Sequence, residues 1–449
     1  MQYSVKDILR FEVSPALGCT EPTAVALGAA AAASLITGSR QPDRIEIRLD
    51  PNIFKNGLAV CIPGTGGRSG LELAAALGAV ACRPELKMEV LAGITDKQVE
   101  KASGLIRSNR VTVHLLYEKK GLYINTRIVS GPDTAESVIE SQHDNVTRLL
   151  LNGRPPENPP VATAGKGSGK EGRSEEFERF LKQLSLKQAV SMVREFDAED
   201  LAFIKKGIEM NMELSSHGLS HNCGLRVGKT FETLVREGFI RDDVIHKARV
   251  LTSAASDARM SGASLPAMSS AGSGNHGLTA IIPVKVVADH IGASEKELCR
   301  AVGLSHIITA CVKSHTGRLA AICACSVASG AGAAAAVAWL LGASVDRIGS
   351  AVENIIEDLA GVICDGAKNS CAIKLATASG NAVQAALFSI YDLNVKMTDG
   401  IVGDTPEKTI RNIGILSSEG MIETDRTILK IMLEKILSGD GRSRPDVAQ

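Results

Sequence analysis

The sequence predicts an α+β protein, a mainly helical domain with an α/β domain inserted into it. Three observations carry this prediction. Arg44-Ile45-Glu46-Ile47-Arg48-Leu49 alternates strictly, as a half-buried strand does. From about residue 176 onward the apolar residues recur at helical spacing, broken by Gly-rich runs. Glycine is frequent, at 43 residues, and aromatics make up only 3%, so cores must form by close approach of Ala-, Leu-, Ile- and Val-bearing elements.

In chain order, residues 1–42 read as helical. A short amphipathic start is followed by the run Ser14-Pro15-Ala16-Leu17-Gly18-Cys19-Thr20-Glu21-Pro22 and an apolar stretch from Ala24 to Ile36. Thr20 suits an N-cap, and Pro22 is tolerated in a first helical turn. Residues 43–152 form the inserted α/β domain. Its expected strands are 44–49, 58–62, 87–91, 111–117 and 122–129, with helices at 69–80 and 96–108. Residues 153–175 hold two Pro-Pro pairs and Gly165-Lys166-Gly167-Ser168-Gly169, a linker composition. Residues 176–449 predict helices over 184–195, 200–215, 245–260, 282–290, 296–305, 344–359 and 425–437.

The 449 residues carry no net charge and no aromatic-interleaved basic stripe, which argues against nucleic acid or an anionic membrane as partner. Residues 319–345 lack any charge, but many are Ala, Gly or Ser, so they read as a buried core helix and not a membrane span. The polar start Met1–Asp7 shows no signal-peptide pattern, and ten irregularly spaced cysteines do not form a disulfide framework. A reducing cytoplasmic location is expected. Helical domains of this size often pair, so a homodimer is the expected assembly.

Chemistry concentrates on the cysteines. A thiol just ahead of a helix start feels the positive end of the macrodipole, which favours its thiolate, so Cys19 reads as a metal ligand or nucleophile; its alternative is a small buried apolar residue. Cys323 falls in the uncharged stretch. On a helix, Cys323 and Cys325 would point to nearly opposite faces and would not share one metal. Cys364 and Cys371 would stand about 10 Å apart in a continuous helix and could serve together only if Asp365-Gly366 is a turn.

Six strings together resemble one family: Ala16-Leu-Gly-Cys-Thr-Glu-Pro22, Pro51-Asn-Ile-Phe-Lys-Asn-Gly57, Ser253-Ala-Ala-Ser-Asp-Ala-Arg-Met260, Ser273-Gly-Asn-His-Gly277, Arg318-Leu-Ala-Ala-Ile-Cys323 and Ile363-Cys-Asp-Gly-Ala-Lys368. They are similar to those of the cysteine desulfidase family, which has a serine-dehydratase-like α domain. The resemblance spans nearly the whole chain. It implies a [4Fe–4S] enzyme without pyridoxal phosphate that eliminates sulfide from L-cysteine, giving pyruvate and ammonia. It also implies that Cys19, Cys323 and Cys364 hold the cluster and that the helical part is the catalytic domain. Related serine dehydratases have a further cysteine after their Cys-Asp motif, to which Cys371 would correspond at a different interval.

Three thiolates leave one iron open, and an open metal position acts as a Lewis acid. Lys374, Lys55 and His276 are candidates for the base that removes the Cα proton. Each has a plainer alternative: an exposed helix lysine, a surface turn lysine and a polar turn residue. The N–H groups of Ser273, Gly274 and Asn275 could hold the substrate carboxylate, as could Arg259 or Arg318. Either arginine could instead form an ion pair, Arg259 with Asp257. Pro63-Gly64-Thr65-Gly66-Gly67 lacks a phosphate-loop ending and reads as a turn. His217 and His221 are four apart, but Gly218 and Ser220 disfavour a helix there. Three rival functions stay open: L-serine deamination by the same machinery, a non-catalytic metal or redox module, and a pyridoxal phosphate enzyme, for which no motif is evident.

Overall fold

The computed structural model describes residues 3–36, 41–161, 163, 170–317 and 320–438. Helices dominate, as the sequence predicts, with one five-stranded and one two-stranded sheet. Helix α1 (Val5–Glu12) is closed by a capping box at Ser4 and buries Val5, Ile8 and Leu9 in the helical core. Strand β1 (Pro15–Leu17) leads into α2 (Thr20–Ala33).

β2 (Arg44–Leu49) buries Ile45, Ile47 and Leu49, as its alternation requires. α3 (Pro51–Gly57), α4 (Leu71–Ala81) and α5 (Asp96–Arg107) follow, then β3 (Val111–Leu115), β4 (Tyr123–Ser130), β5 (Asp133–Glu140) and β6 (Val146–Leu151). The sheet order is β3-β2-β4-β5-β6, with β2 and β3 parallel and the other pairings antiparallel. Helix α2 packs into this sheet's core through Ala24–Ala32, with Leu35 just beyond its end, beside Ile124, Ile128 and Ile139. Gly78 lets α4 approach α2 closely: a Cβ there would stand 2.0 Å from the Ala26 carbonyl oxygen.

Two expected strands do not form. Residues 58–62 reach only an isolated bridge between Cys61 and Ser69, closing the Gly-rich turn that follows. Residues 87–91 lie in and after a 3₁₀ segment begun by Pro84, where Lys87 takes a left-handed conformation at φ 48°. The strands β5 and β6 were not anticipated.

The helical part comprises α6 (Lys170–Gln183), α7 (Leu186–Met192), α8 (Ala198–Ser220), α9 (Val227–Arg236) and α10 (Val244–Met260). After β7 (Pro266–Met268) come α11 (Gly274–Ile291), α12 (Glu295–Thr316), α13 (Ala328–Leu340), α14 (Val345–Leu359), α15 (Cys371–Ile390), α16 (Pro406–Ile415) and α17 (Ile422–Ser438). The Ala-rich α13 is the central helix, packed against α11, α12, α14 and α15. Residues 333–338 are fully buried, so the uncharged stretch does contain a core helix. No helix among the described residues is long and apolar enough to cross a membrane. α8 runs through His217 to Ser220, against the expectation that Gly218 and Ser220 would disfavour a helix; His217 and His221 stack with ring centroids 4.0 Å apart.

The two parts are joined where β1 pairs antiparallel with β7, Ala16 opposite Ala267. The chain then crosses to the sheet side through Gly18 and Cys19. Near the other end, Leu429 and Leu433 of α17 return to the sheet's core.

Candidate active site

The junction between the two parts encloses a cavity with about 840 Å³ of empty volume, part of it open to solvent. Cys19, Cys323, Cys325, Cys364 and Cys371 all line it, with Arg259, Ser273, Asn275, His276 and Lys374.

Gly18 sets the first wall. Its φ is +73°, and a Cβ there would lie 2.6 Å from the Pro63 ring, so only glycine fits the turn. Cys19, and not Thr20, is the N-cap of α2. Thr20 stands in the first turn and donates to Glu21 Oε2 at 3.1 Å. The Cys19 thiol donates to the same oxygen at 2.9 Å. Its pKa is not lowered by the helix start, as expected, but raised well above the ordinary thiol value. Burial is the main cause and the Glu21 charge the second, against a smaller opposing effect of Arg259.

Arg259, on α10, is 2% exposed. It donates to the Gly18 carbonyl at 2.6 Å and to Asn275 Oδ1 at 2.9 Å, and its Nε is buried without a partner. The ion pair with Asp257 does not form. Asp257 instead accepts the backbone N–H groups of Leu225 and Gly228. Arg318 lies outside the described residues.

Two loops make the opposite wall. Ile322 and Ile363 form a bridge, with Cys323 N–H donating to the Val362 carbonyl at 2.8 Å and Cys364 N–H to the Ala321 carbonyl at 2.5 Å. Cys323 therefore sits in a turn before α13 and not within a helix. The opposite-face argument against Cys325 fails with it. The Cys325 thiol hydrogen-bonds Cys323, drawing the Cys323 thiol down while its own rises. Asp365-Gly366 does break the chain direction. Gly366 has φ +91°, and a Cβ there would meet the Lys55 carbonyl at 2.4 Å. This brings Cys371, the first residue of α15, back to the cavity, where its thiol lies 3.8 Å from the Gly366 carbonyl. Burial pushes Cys364 up and Cys371 up to about 11.

The three base candidates separate. Lys55 is no surface turn residue. It lies in α3, 1% exposed, ion-paired with Asp425 of α17, and is not among the lining residues. Lys374 lines the cavity and donates to Asp365 Oδ1 at 2.6 Å and the Ile363 carbonyl at 2.7 Å. Burial works to lower its pKa, but the Asp365 bond and charge outweigh it, so Lys374 is held as the ammonium. His276 lies in the first turn of α11 and is buried. Its Nδ1 stands 3.1 Å from the Ser270 carbonyl, which can only accept, so Nδ1 carries the hydrogen and Nε2 the lone pair. Burial first, then the charge of Lys313, lowers its pKa to about 3 and keeps the ring neutral.

The α11 start is built tightly. Ser270 and Ser273 exchange two backbone hydrogen bonds at 3.1 Å across Ala271 and Gly272, both left-handed at φ 46° and 80°. Ser273 is the N-cap but makes no side-chain capping bond. A Cβ on Gly274 would lie 2.4 Å from Arg259 Nε.

Sequence reasoning missed Glu21, Asn56, His143, Lys313, Cys325 and Asp365, which also line the cavity. Glu21 and Asp365 sit inside the quoted strings, two and one residues from a cysteine. His143 lies between β5 and β6, where no strand pair was anticipated.

Among the described residues no three His, Cys, Asp or Glu side chains converge tightly enough to hold a single metal ion. A multi-iron cluster has a different requirement, because each thiolate holds its own iron and the ligands stand apart around it. Five free thiols on one cavity suit that donor set.

A family model described as serine dehydratase alpha chain matches residues 85–430, and the chain belongs to that family. Cys323, Cys364, Cys371, His276, Arg259 and Lys374 fall within the match, whereas Cys19, Glu21 and Lys55 precede it. Its relatives include a UPF0597 protein of Desulforapulum autotrophicum, 61% identical over 438 residues, covering 98% of this chain and 99% of the relative. Another, from Desulfatibacillum aliphaticivorans, is 54% identical over 440 residues, covering 98% and 100%. A third, from Geobacter sulfurreducens, is 39% identical over 432 residues, covering 96% and 98%. The family places the chain with lyases of the serine dehydratase type.

Proposed function

We propose that the protein is an iron–sulfur lyase that eliminates hydrogen sulfide from L-cysteine, leaving an enamine that water converts to pyruvate and ammonia. L-Serine, which differs in the leaving group, is the alternative substrate. The observation that carries this reading is the meeting of Cys19, Cys323, Cys364 and Cys371 with His276 and an uncapped helix start at one cavity.

A [4Fe–4S] cluster held by Cys19, Cys323 and Cys364 would supply a Lewis acid that stabilises the departing sulfur. The protein's own groups do the rest. The N–H groups at the start of α11, beside the buried Arg259, receive the substrate carboxylate. His276 Nε2 takes the Cα proton, since Nδ1–H is engaged with Ser270. Lys374, held as an ammonium by Asp365, can protonate the departing sulfide. Cys371 is the candidate fourth thiol of the set.

The test is anaerobic reconstitution with iron and sulfide counts and electron paramagnetic resonance, followed by pyruvate release from L-cysteine and L-serine. Cys19→Ala, Cys323→Ala and Cys364→Ala are each expected to lose iron and turnover. Full iron and full turnover in all three would refute the assignment. A zinc-loaded or fully ligated centre inert to both amino acids would favour a non-catalytic module.

A further inference from the structure

Glu21 is a carboxylate buried in the cavity wall, 7% exposed, two residues after Cys19. A buried charge is normally paired. Here the compensation is slight. Oε2 accepts from the Cys19 thiol and the Thr20 hydroxyl, and Oε1 accepts from Asn56 Nδ2 at 3.2 Å. His143 Nε2 stands 3.9 Å from Oε1, a pairing that carries a positive charge only when the ring is protonated. Among the described residues no lysine or arginine pairs with Glu21.

Asn56 supplies a second, independent sign. It is itself 7% exposed. A carboxylate can only accept, so the amide nitrogen must face Glu21, and this fixes Oδ1 as the other arm. That Oδ1 is buried with no hydrogen-bond partner. An ionised acid and an orphaned carbonyl oxygen thus sit side by side on a cavity. Glu21 has hydrogen-bond donors but no lysine or arginine, and Asn56 Oδ1 has no donor, so a compact group with several N–H bonds and a positive charge would serve both. Water could fill the acceptor but would leave the charge uncompensated.

The position fits one ligand class. Arg259 grips the Gly18 carbonyl on one side of Cys19, and Glu21 stands on the other. The cavity therefore offers an anion site and a cation site flanking one sulfur, matching the carboxylate and ammonium that an α-amino acid carries on a single carbon.

We infer that Glu21 and Asn56 form the subsite for the substrate's α-ammonium group and select amino acids over carboxylic acids that lack the amine. His143, delivered by the β5–β6 turn, backs Glu21 as a positioning residue. This inference rests on the reading of the cavity as an amino-acid lyase site, which it deepens.

The test uses L-alanine, which has both charged groups but no leaving group, and propionate, which lacks the amine. Their affinities are measured by anaerobic calorimetry on the reconstituted protein, alongside pyruvate release from L-cysteine and L-serine. The wild type is expected to bind L-alanine at least about tenfold more tightly than propionate. Glu21→Gln should lower that ratio about 10- to 100-fold, as befits loss of a hydrogen bond to a charged group, while leaving propionate affinity in place. Asn56→Leu should lower the ratio in the same direction. Equal binding of the two ligands by the wild type, or equal weakening of both in Glu21→Gln, would overturn the inference. If Glu21→Gln does not fold by circular dichroism, the wild-type ratio and Asn56→Leu decide. A wild type that keeps the tenfold preference yet releases no pyruvate would sink the lyase reading and leave the ammonium subsite standing.

Discussion

His306 of α12 offers a clean electrostatic test of how the cavity's floor is built. It is fully buried, and its Nδ1 lies 2.9 Å from the Ser270 hydroxyl, behind the carbonyl that orients His276. Burial lowers its pKa from 6.5 to about 4. Below pH 6.5 the unfolded chain takes up a proton that the folded one refuses until about pH 4. Stability is therefore whole above pH 6.5 and lost as the pH falls through that window. One group loses about 1.4 kcal/mol per pH unit, hence about 2 kcal/mol between pH 6.5 and 5. The wild-type profile alone would hide this. Asp50 and Asp257, both raised to about 6 by burial, gain stability over the same range as they protonate. His276 contributes with the same sign as His306. The measurement is thus a difference: urea unfolding of metal-free wild type and His306→Asn at pH 7.5, 6, 5 and 4.5. The stability gap should shift in the variant's favour by about 2 kcal/mol from pH 7.5 to 5. A gap constant over that range would refute the claim that His306 is buried neutral.

Gly277→Ala should destabilise the protein although alanine is the better helix former, because its Cβ would stand 1.8 Å from the Met268 carbonyl oxygen. A loss of about 1–3 kcal/mol is expected from thermal unfolding, where an open helix site would gain about 1 kcal/mol. Arg259→Met should cost about 3–6 kcal/mol in urea unfolding, from two hydrogen bonds of a charged donor to Gly18 and Asn275, and should raise KM. A variant as stable as the wild type would show that Arg259 does not pin the Cys19 turn.

Periodicity revealed what depends on local burial. The alternation of 44–49 and the apolar faces of α10 and α14 gave strand and helix with ends nearly right. β5 and β6 escaped notice because Glu136, Glu140 and Arg148 interrupt their apolar residues, and those charges pair across strands instead. An uncharged stretch does not distinguish a buried helix from the buried turn that leads into one, and Cys323 lies in that turn region ahead of α13. The reading of Cys325 failed for the same reason. Lys55 looked exposed because its partner, Asp425, lies 370 residues away. The gathering of the cysteines rested on motif resemblance, since no spacing rule links positions 19, 323 and 364. Glu21 and Asn56 were invisible as a pair, because their meeting depends on α2 and α3 packing in three dimensions.

At Cys19 the helix start and burial act on the thiol in opposite directions. A helix start favours a nearby anion by about 0.3–1 kcal/mol, under one pKa unit, whereas full burial can shift a thiol by several units the other way. Burial wins, so Cys19, Cys364 and Cys371 rest as neutral thiols. Neutral sulfur is a small apolar group, and packing it beside Val60 and Met260 requires no counter-charge. The protein thereby avoids holding several buried thiolates next to the Glu21 carboxylate. A cationic centre bound by these three thiols would compensate their thiolate charge, and the released protons would make such binding favoured by rising pH. Burial thus makes Cys19, Cys364 and Cys371 poor nucleophiles, whereas the hydrogen bond from Cys325 draws Cys323 down to about 6.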